Sequence, residues 1–309
     1  MATFVKMKLK RMKVMMKRNS LLLVLVLCAM AANAQLLWKV SGNGLARPSY
    51  ILGTYHLAPA AMIDDIPGMQ QAFEGCDIVI GEVDQGVLTK PDMMLAMAQA
   101  MMAPSDSTLD KLFTPEKINV IEQIYNKYCS SLGIPFILMK RFKPAAVSFL
   151  IAQAKELQRV TDADPAQLID MAVQLRGNKM GRPTMGLETI DEQIGFLFSS
   201  PIDMQANRLL ELCENDDLAE SQSNELCEAY MSQDLDRIEK MFFDPDLVEM
   251  DQDEMKTLVV DRNNNWMEKL VKMMPERACL VVVGAGHLIG DKGLLQQFRD
   301  RGYTVEPMQ

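Results

Sequence analysis

The stretch Cys279–Gly290, CLVVVGAGHLIG, decides how this chain folds. Its opening run, three valines among five apolar residues, reads as a strand buried on both faces, since β-branched side chains suit a pleated surface and nothing polar interrupts them. Gly284 and Gly286 let the backbone turn and approach a ligand closely, and His287 follows. The same order recurs at Tyr50–Pro59, YILGTYHLAP, where apolar residues lead into Gly53 and then His56. The 309-residue chain holds two histidines in all, and these motifs contain both.

Working outward, "DIPGMQQAFEGC" reads as a helix, and Ile78 to Ile80 is a third buried strand that ends in Gly81-Glu82. Thr257 to Met274 reads as a long amphipathic helix. After the His287 motif come the helix "GLLQQFRDRG", closed by Gly302, and a terminal strand "YTVEPM". Strand, helix and strand at each end predict an α/β fold whose central sheet is built from the N- and C-terminal segments. Between about 91 and 243 the periodicity is mainly helical, with turn signals at Gly133-Ile134-Pro135 and Asp162-Ala163-Asp164-Pro165. Residues 35–309 are thus expected to form a single domain with a large helical insertion or cap. The 26 methionines spread through the N-terminal segment and these helices; core filling accounts for them most simply, although a methionine-rich face also binds apolar partners loosely.

The N-terminus looks like an export signal. Seven Lys/Arg between Lys6 and Arg18 precede the apolar run Leu21 to Met30, and Ala32-Asn33-Ala34 supplies a cleavage pattern. Cleavage predicts a periplasmic or secreted chain starting at Gln35, with a retained N-terminal membrane anchor as the alternative. Cys28 raises a lipoprotein, but Leu27 is bulky where such sites carry a small residue. The apolar run is short for a span, and the rest of the chain has no second long apolar run, so no stable span is expected after cleavage. Loss of the seven cations takes the net charge from −9 to −16, which argues against nucleic acid or anionic lipid as a partner. Cys76, Cys129, Cys213, Cys227 and Cys279 remain. In an oxidising compartment one or two disulfides are expected, with Cys213–Cys227 as one pairing and Cys279 simply buried.

Ligands of open α/β sheets gather at the carboxyl ends of strands. If the three strands are neighbours, His56, His287 and Glu82 converge. Two imidazoles and a carboxylate form the ligand set of several catalytic zinc sites and leave a position open for water. Manganese, cobalt or iron would also suit, because ligand type does not choose among them. The blander alternatives are hydrogen-bonded histidines and a Glu82 paired with an arginine. No H-E-x-x-H, G-x-S-x-G, P-loop or dinucleotide fingerprint is present; GAGHLIG spaces its glycines one residue too long for the last.

Taken in order, "YILGTYHLAP", "IVIGEVD", "LETIDEQIGFL", "DLDRIEKM", "VVDRNNNWMEKL" and "CLVVVGAGHLIGDKGLLQQFRDRGYTVEPM" resemble the TraB/GumN family of bacterial proteins. That family is related to the Tiki metalloproteases and, more distantly, to erythromycin-esterase-like and haem-uptake proteins. The resemblance runs from about Leu37 to Met308 and is diffuse across 91–174. It implies a metal-dependent hydrolase acting on a peptide or small molecule, with His56 and His287 on the divalent metal ion and Glu82 as third ligand or base. It also singles out Arg262, Asn263 and Glu188. Arg262 could steady an oxyanion, or pair with Asp261 or Glu268 on its own helix. Asn263 could orient a substrate carbonyl or cap a backbone group. Glu188 could be catalytic, or only a charge on a helix N-terminus. Tyr55 could line the pocket or merely pack. A non-catalytic binder of a peptide, haem or small ligand, and a metal-free esterase-like hydrolase, are the alternatives.

Overall fold

The computed structural model describes residues 35–56, 58–88, 90–159, 168–244 and 252–309. The export signal, Leu57 and the turn at Asp162–Pro165 lie outside them. Six strands form one sheet: β1 (Leu37–Ser41), β2 (Ser49–Thr54), β3 (Ile78–Gly81), β4 (Thr184–Gly186), β5 (Cys279–Gly284) and β6 (Thr304–Pro307), in the order β4-β3-β5-β2-β1-β6. From β4 to β2 neighbours run parallel, whereas β1 is antiparallel to both β2 and β6. Every residue of β2 and β3 is buried, as is all of β5 except Gly284. That is why these segments read as unbroken apolar runs rather than alternating ones.

The longer helices are α1 (Met69–Gly75), α2 (Pro91–Met101), α3 (Pro115–Cys129), α4 (Pro144–Arg159), α5 (Ile169–Lys179), α6 (Ile190–Phe198), α7 (Ile202–Glu214), α8 (Asp216–Met231), α9 (Leu235–Phe242), α10 (Asp261–Met273) and α11 (Leu294–Asp300). Two hydrophobic cores organise them. One encloses the sheet and includes Ile169 and Val173 of α5, Tyr230 of α8, Ile238 of α9 and Trp266 of α10. The other joins α3, α4 and α7 through Ile121, Tyr125, Val147, Ile151 and Leu209.

Within the mainly helical segment expected over about 91–243, some elements belong to the sheet rather than to a cap. β4 joins the sheet edge beside β3, and α5, α8 and α9 share the sheet's core. The three-residue β4 is too short to carry a period of its own, and α5 has the same 3.6-residue pattern whichever surface it covers. The amphipathic stretch before Met274 also divides, with a π turn over Lys256–Val260 preceding α10.

No disulfide is present among the described residues. Cys213 is buried in the core of the cap, and burial pushes its thiol pKa up to about 12. The expected Cys213–Cys227 bridge is not formed. No helix among the described residues is long and apolar enough to cross a membrane.

Candidate active site

Parallel pairing of β4, β3, β5 and β2 brings four carboxyl ends to one edge of the sheet, and each carries a polar group just beyond it. Thr54 leads to His56, Gly81 to Glu82, Gly186 to Glu188 and Gly284 to His287. Hydrogen bonding continues past the strands, since Glu188 N–H donates to the carbonyl of Glu82 at 2.9 Å. The β4 end is the one that sequence could not supply, because three residues carry no strand signal.

Three of these groups, His56, Glu82 and His287, meet at Gly284. A Cβ built on that residue would lie 3.4 Å from Glu82 Oε1, 3.5 Å from His56 Nε2 and 3.7 Å from His287 Cδ2. Gly81 is needed for a different reason, as a side chain there would run into the Gln174 amide and the Val83 carbonyl. Gln174 takes that space to accept from Gln85 N–H at 3.1 Å and donate to Val83 C=O at 3.0 Å, pinning the turn after Glu82.

Each imidazole is oriented from behind. Asn263 Nδ2 donates to the carbonyls of His287 and Lys292, so Asn263 Oδ1 faces His287 Nδ1 at 2.8 Å and Nδ1 carries the proton. His287 Nε2 is left with a lone pair, which accepts from Arg262 Nη1 at 3.1 Å. His56 Nδ1 faces Asp170 Oδ2 at 3.0 Å, and Thr54 Oγ1 donates to the other Asp170 oxygen at 2.8 Å. Asp170 lies in the first turn of α5 and belongs to no motif, which is why sequence missed it.

The two rings titrate in opposite directions. Burial lowers His287 from 6.5 to about 4, despite the opposing pull of Glu82. Asp170 raises His56 from 6.5 to about 9. Water reaches 63 % of the His56 side chain and screens part of that attraction. Glu82 is buried, which would raise its pKa, but His287, His56, Arg262 and the Gly284 N–H together hold it down at about 2. At neutral pH the centre therefore holds a carboxylate beside a neutral His287.

Arg262 lies between two acids rather than beside Asp261 or Glu268. It donates through Nη2 to Glu82 Oε2 at 2.5 Å and to Glu188 Oε1 at 2.7 Å, and through Nε to Glu188 Oε2 at 3.1 Å. Nη1 reaches Leu258 C=O at 3.1 Å as well as His287. All five N–H donors of the guanidinium are thus engaged, and none is spare for an oxyanion in this arrangement. Its plane is packed by Trp266 at 4.7 Å and Phe196 at 5.5 Å. Asp261 pairs with Lys256 instead. Glu188 is no helix-dipole charge: Thr189 caps α6 with Glu192, while Glu188 is buried against Arg262 and accepts from Trp266 Nε1 at 3.2 Å. Asn263 caps backbone carbonyls, the second of its expected roles. Tyr55 lines the cavity and also stacks on Tyr230 at 5.7 Å.

A cavity of about 630 Å³ opens over Glu82, His56 and Arg262, walled by α2, α4 and α6 of the cap. The profile of the TraB/PrgY/gumN family matches residues 36–307, nearly the whole described chain. The chain belongs to the TraB/PrgY/gumN family. No curated protein and no solved structure matched it. The TraB/PrgY/gumN match thus spans both cores and every residue of the strand-end cluster.

Whether the cluster suits a divalent cation can be tested on its donors. Both Nδ1 nitrogens are held by oxygens, so each Nε2 is the nitrogen a cation would take, at His56 in exchange for the proton that Asp170 stabilises there; such backing is what metal-binding imidazoles ordinarily have. The donor types therefore fit. As placed, however, no three His, Cys, Asp or Glu side chains among the described residues close around one point. Arg262 reaches both Glu82 and His287, so a cation competes with the guanidinium for two ligands.

Proposed function

We propose that the chain is an exported, metal-dependent hydrolase of peptide-like amides or esters, with His56, His287 and Glu82 holding the cation. One observation carries this reading: two imidazoles, each backed at Nδ1, meet a carboxylate at Gly284, and two of the three groups, His56 and Glu82, line a cavity. The family resemblance and the export-like N-terminus are consistent with it. A divalent cation held there would supply Lewis-acid polarisation and would lower the pKa of a bound water toward neutrality. The chain's own residues do the rest. Asn263 and Asp170 orient the rings, Arg262 keeps Glu82 ionised, and Glu188 neutralises Arg262 from its far side. His56, the most exposed of the three ligands, stands where the cavity opens onto the cluster.

The guanidinium 3.1 Å from His287 Nε2 favours a second, metal-free reading, in which His56 and Asp170 alone provide acid–base chemistry. Elemental analysis of purified protein, paired with a peptide-library cleavage assay on wild type, His56→Ala and His287→Ala, separates the two. Bound metal and cleavage lost together in both variants support the metal-dependent hydrolase. Cleavage that survives complete chelation supports the metal-free one. A tightly held ligand without turnover in any divalent metal overturns both and leaves a binding protein.

A further inference from the structure

The cap contains a helix whose composition contradicts its exposure. α2, PDMMLAMAQAM, has four methionines, a leucine and three alanines, yet none of its eleven residues is buried. Met94 and Leu95 are 61 % and 59 % exposed. Core filling, the simplest account of a methionine-rich helix, therefore does not apply to it. Its inner face supplies Met97 and Met101 to the cavity, opposite Phe149 of α4 and Phe196 of α6. Unbranched thioether side chains re-pack at little cost, so a methionine wall accommodates apolar groups of differing shape.

The floor excludes acids. Glu82 and Asp170 line it together with Arg262, whose donors are all engaged, and His56, whose charge Asp170 already pairs. Gln85 and Gln153 add side-chain amides to the same lining. Such groups can both donate and accept, as a peptide backbone requires and a hydrocarbon chain does not. The volume of about 630 Å³ falls among ordinary ligand pockets, ~300–1,000 Å³.

We propose that this cavity binds a peptide through one bulky, uncharged apolar side chain of the leucine, methionine or phenylalanine class, with α2 as the adaptable wall that selects it. The inference rests on the hydrolase reading only for what happens to the bound peptide, not for its binding.

The test uses the full chain and a peptide series with a reduced, uncleavable bond, varying one residue among Leu, Phe, Met, Asp and Lys, read by calorimetry. Leu, Phe and Met peptides should bind about 10- to 100-fold more tightly than Asp or Lys ones, as burial of one such side chain implies. Met97→Asp should abolish that preference. Ala152→Phe, at an exposed lining position, should weaken every apolar peptide about tenfold with an unchanged melting temperature. Selective binding with no cleavage of the normal peptides leaves the inference standing and removes the hydrolase. Cleavage without side-chain preference, or with preference for Asp or Lys, does the reverse. Tighter binding of a fatty acyl ester than of any peptide overturns the inference too.

Discussion

Asn263 Oδ1 lies 2.8 Å from His287 Nδ1, while the same side chain's nitrogen donates to two backbone carbonyls on the loop that carries His287. One amide thus fixes both the position of that loop and the tautomer of its imidazole. Asn263→Ala should remove the tautomer preference and leave buried groups unpaired, lowering stability by about 2–3 kcal/mol. Nitrogen chemical shifts of the ring report the first effect and urea unfolding the second. A single Nδ1–H tautomer retained in the variant contradicts the assignment.

Arg262 is shared by two buried carboxylates, Glu82 and Glu188. Arg262→Met strands Glu82 and Glu188, and should cost about 3–5 kcal/mol. Adding Glu82→Gln and Glu188→Gln should recover most of that stability without recovering function. Chemical denaturation of the single and triple variants gives the comparison; equal stability would mean that the cost lies in lost packing on Trp266 and Phe196.

Gly284 has φ −53°, so an alanine fits its backbone, and the added carbon would be in ordinary contact with Glu82, His56 and His287. Gly284→Ala is therefore expected to fold with less than about 1 kcal/mol change while filling the point where the three groups meet. Cation binding and hydrolysis should both fall sharply. Retained activity would place the chemistry elsewhere in the cavity.

Stability should peak near pH 6.5. The folded pKa of His287, about 4, is below its ordinary 6.5, so the unfolded chain takes up the proton first and stability drains as pH falls from 6.5 to 4. Glu82, held at about 2, adds a further loss as pH falls below its ordinary 4.5. His56 has the opposite sign: its raised pKa contributes below pH 6.5 and is lost as pH rises toward 9, in an arm made shallower by solvent screening. Urea midpoints from pH 3 to 9 trace the curve. His287→Gln should flatten the acid arm and Asp170→Asn the alkaline one.

The site's three leading residues were legible because each follows a local signal. An apolar run, a glycine and a polar residue mark a buried strand and its end wherever the strand is later placed. β4, Asp170 and Gln174 gave no such signal. β4 is three residues long, and the other two lie on a helix whose periodicity says which face is apolar but not what that face meets. The same limit hid the second partner of Arg262: its neighbours along α10 were visible, whereas Glu82 and Glu188 are 180 and 74 positions away.

Sequence by itself determined that both histidines and Glu82 follow the ends of buried strands, because strand formation and glycine turns depend on neighbours in the chain. Only the tertiary structure decided what those groups are. It put Arg262 between two carboxylates, Asp170 behind His56, Asn263 behind His287 and an unburied methionine helix over the cavity. These relations depend on how helices dock on the sheet, and docking is settled by the summed packing of distant surfaces, which no local pattern encodes.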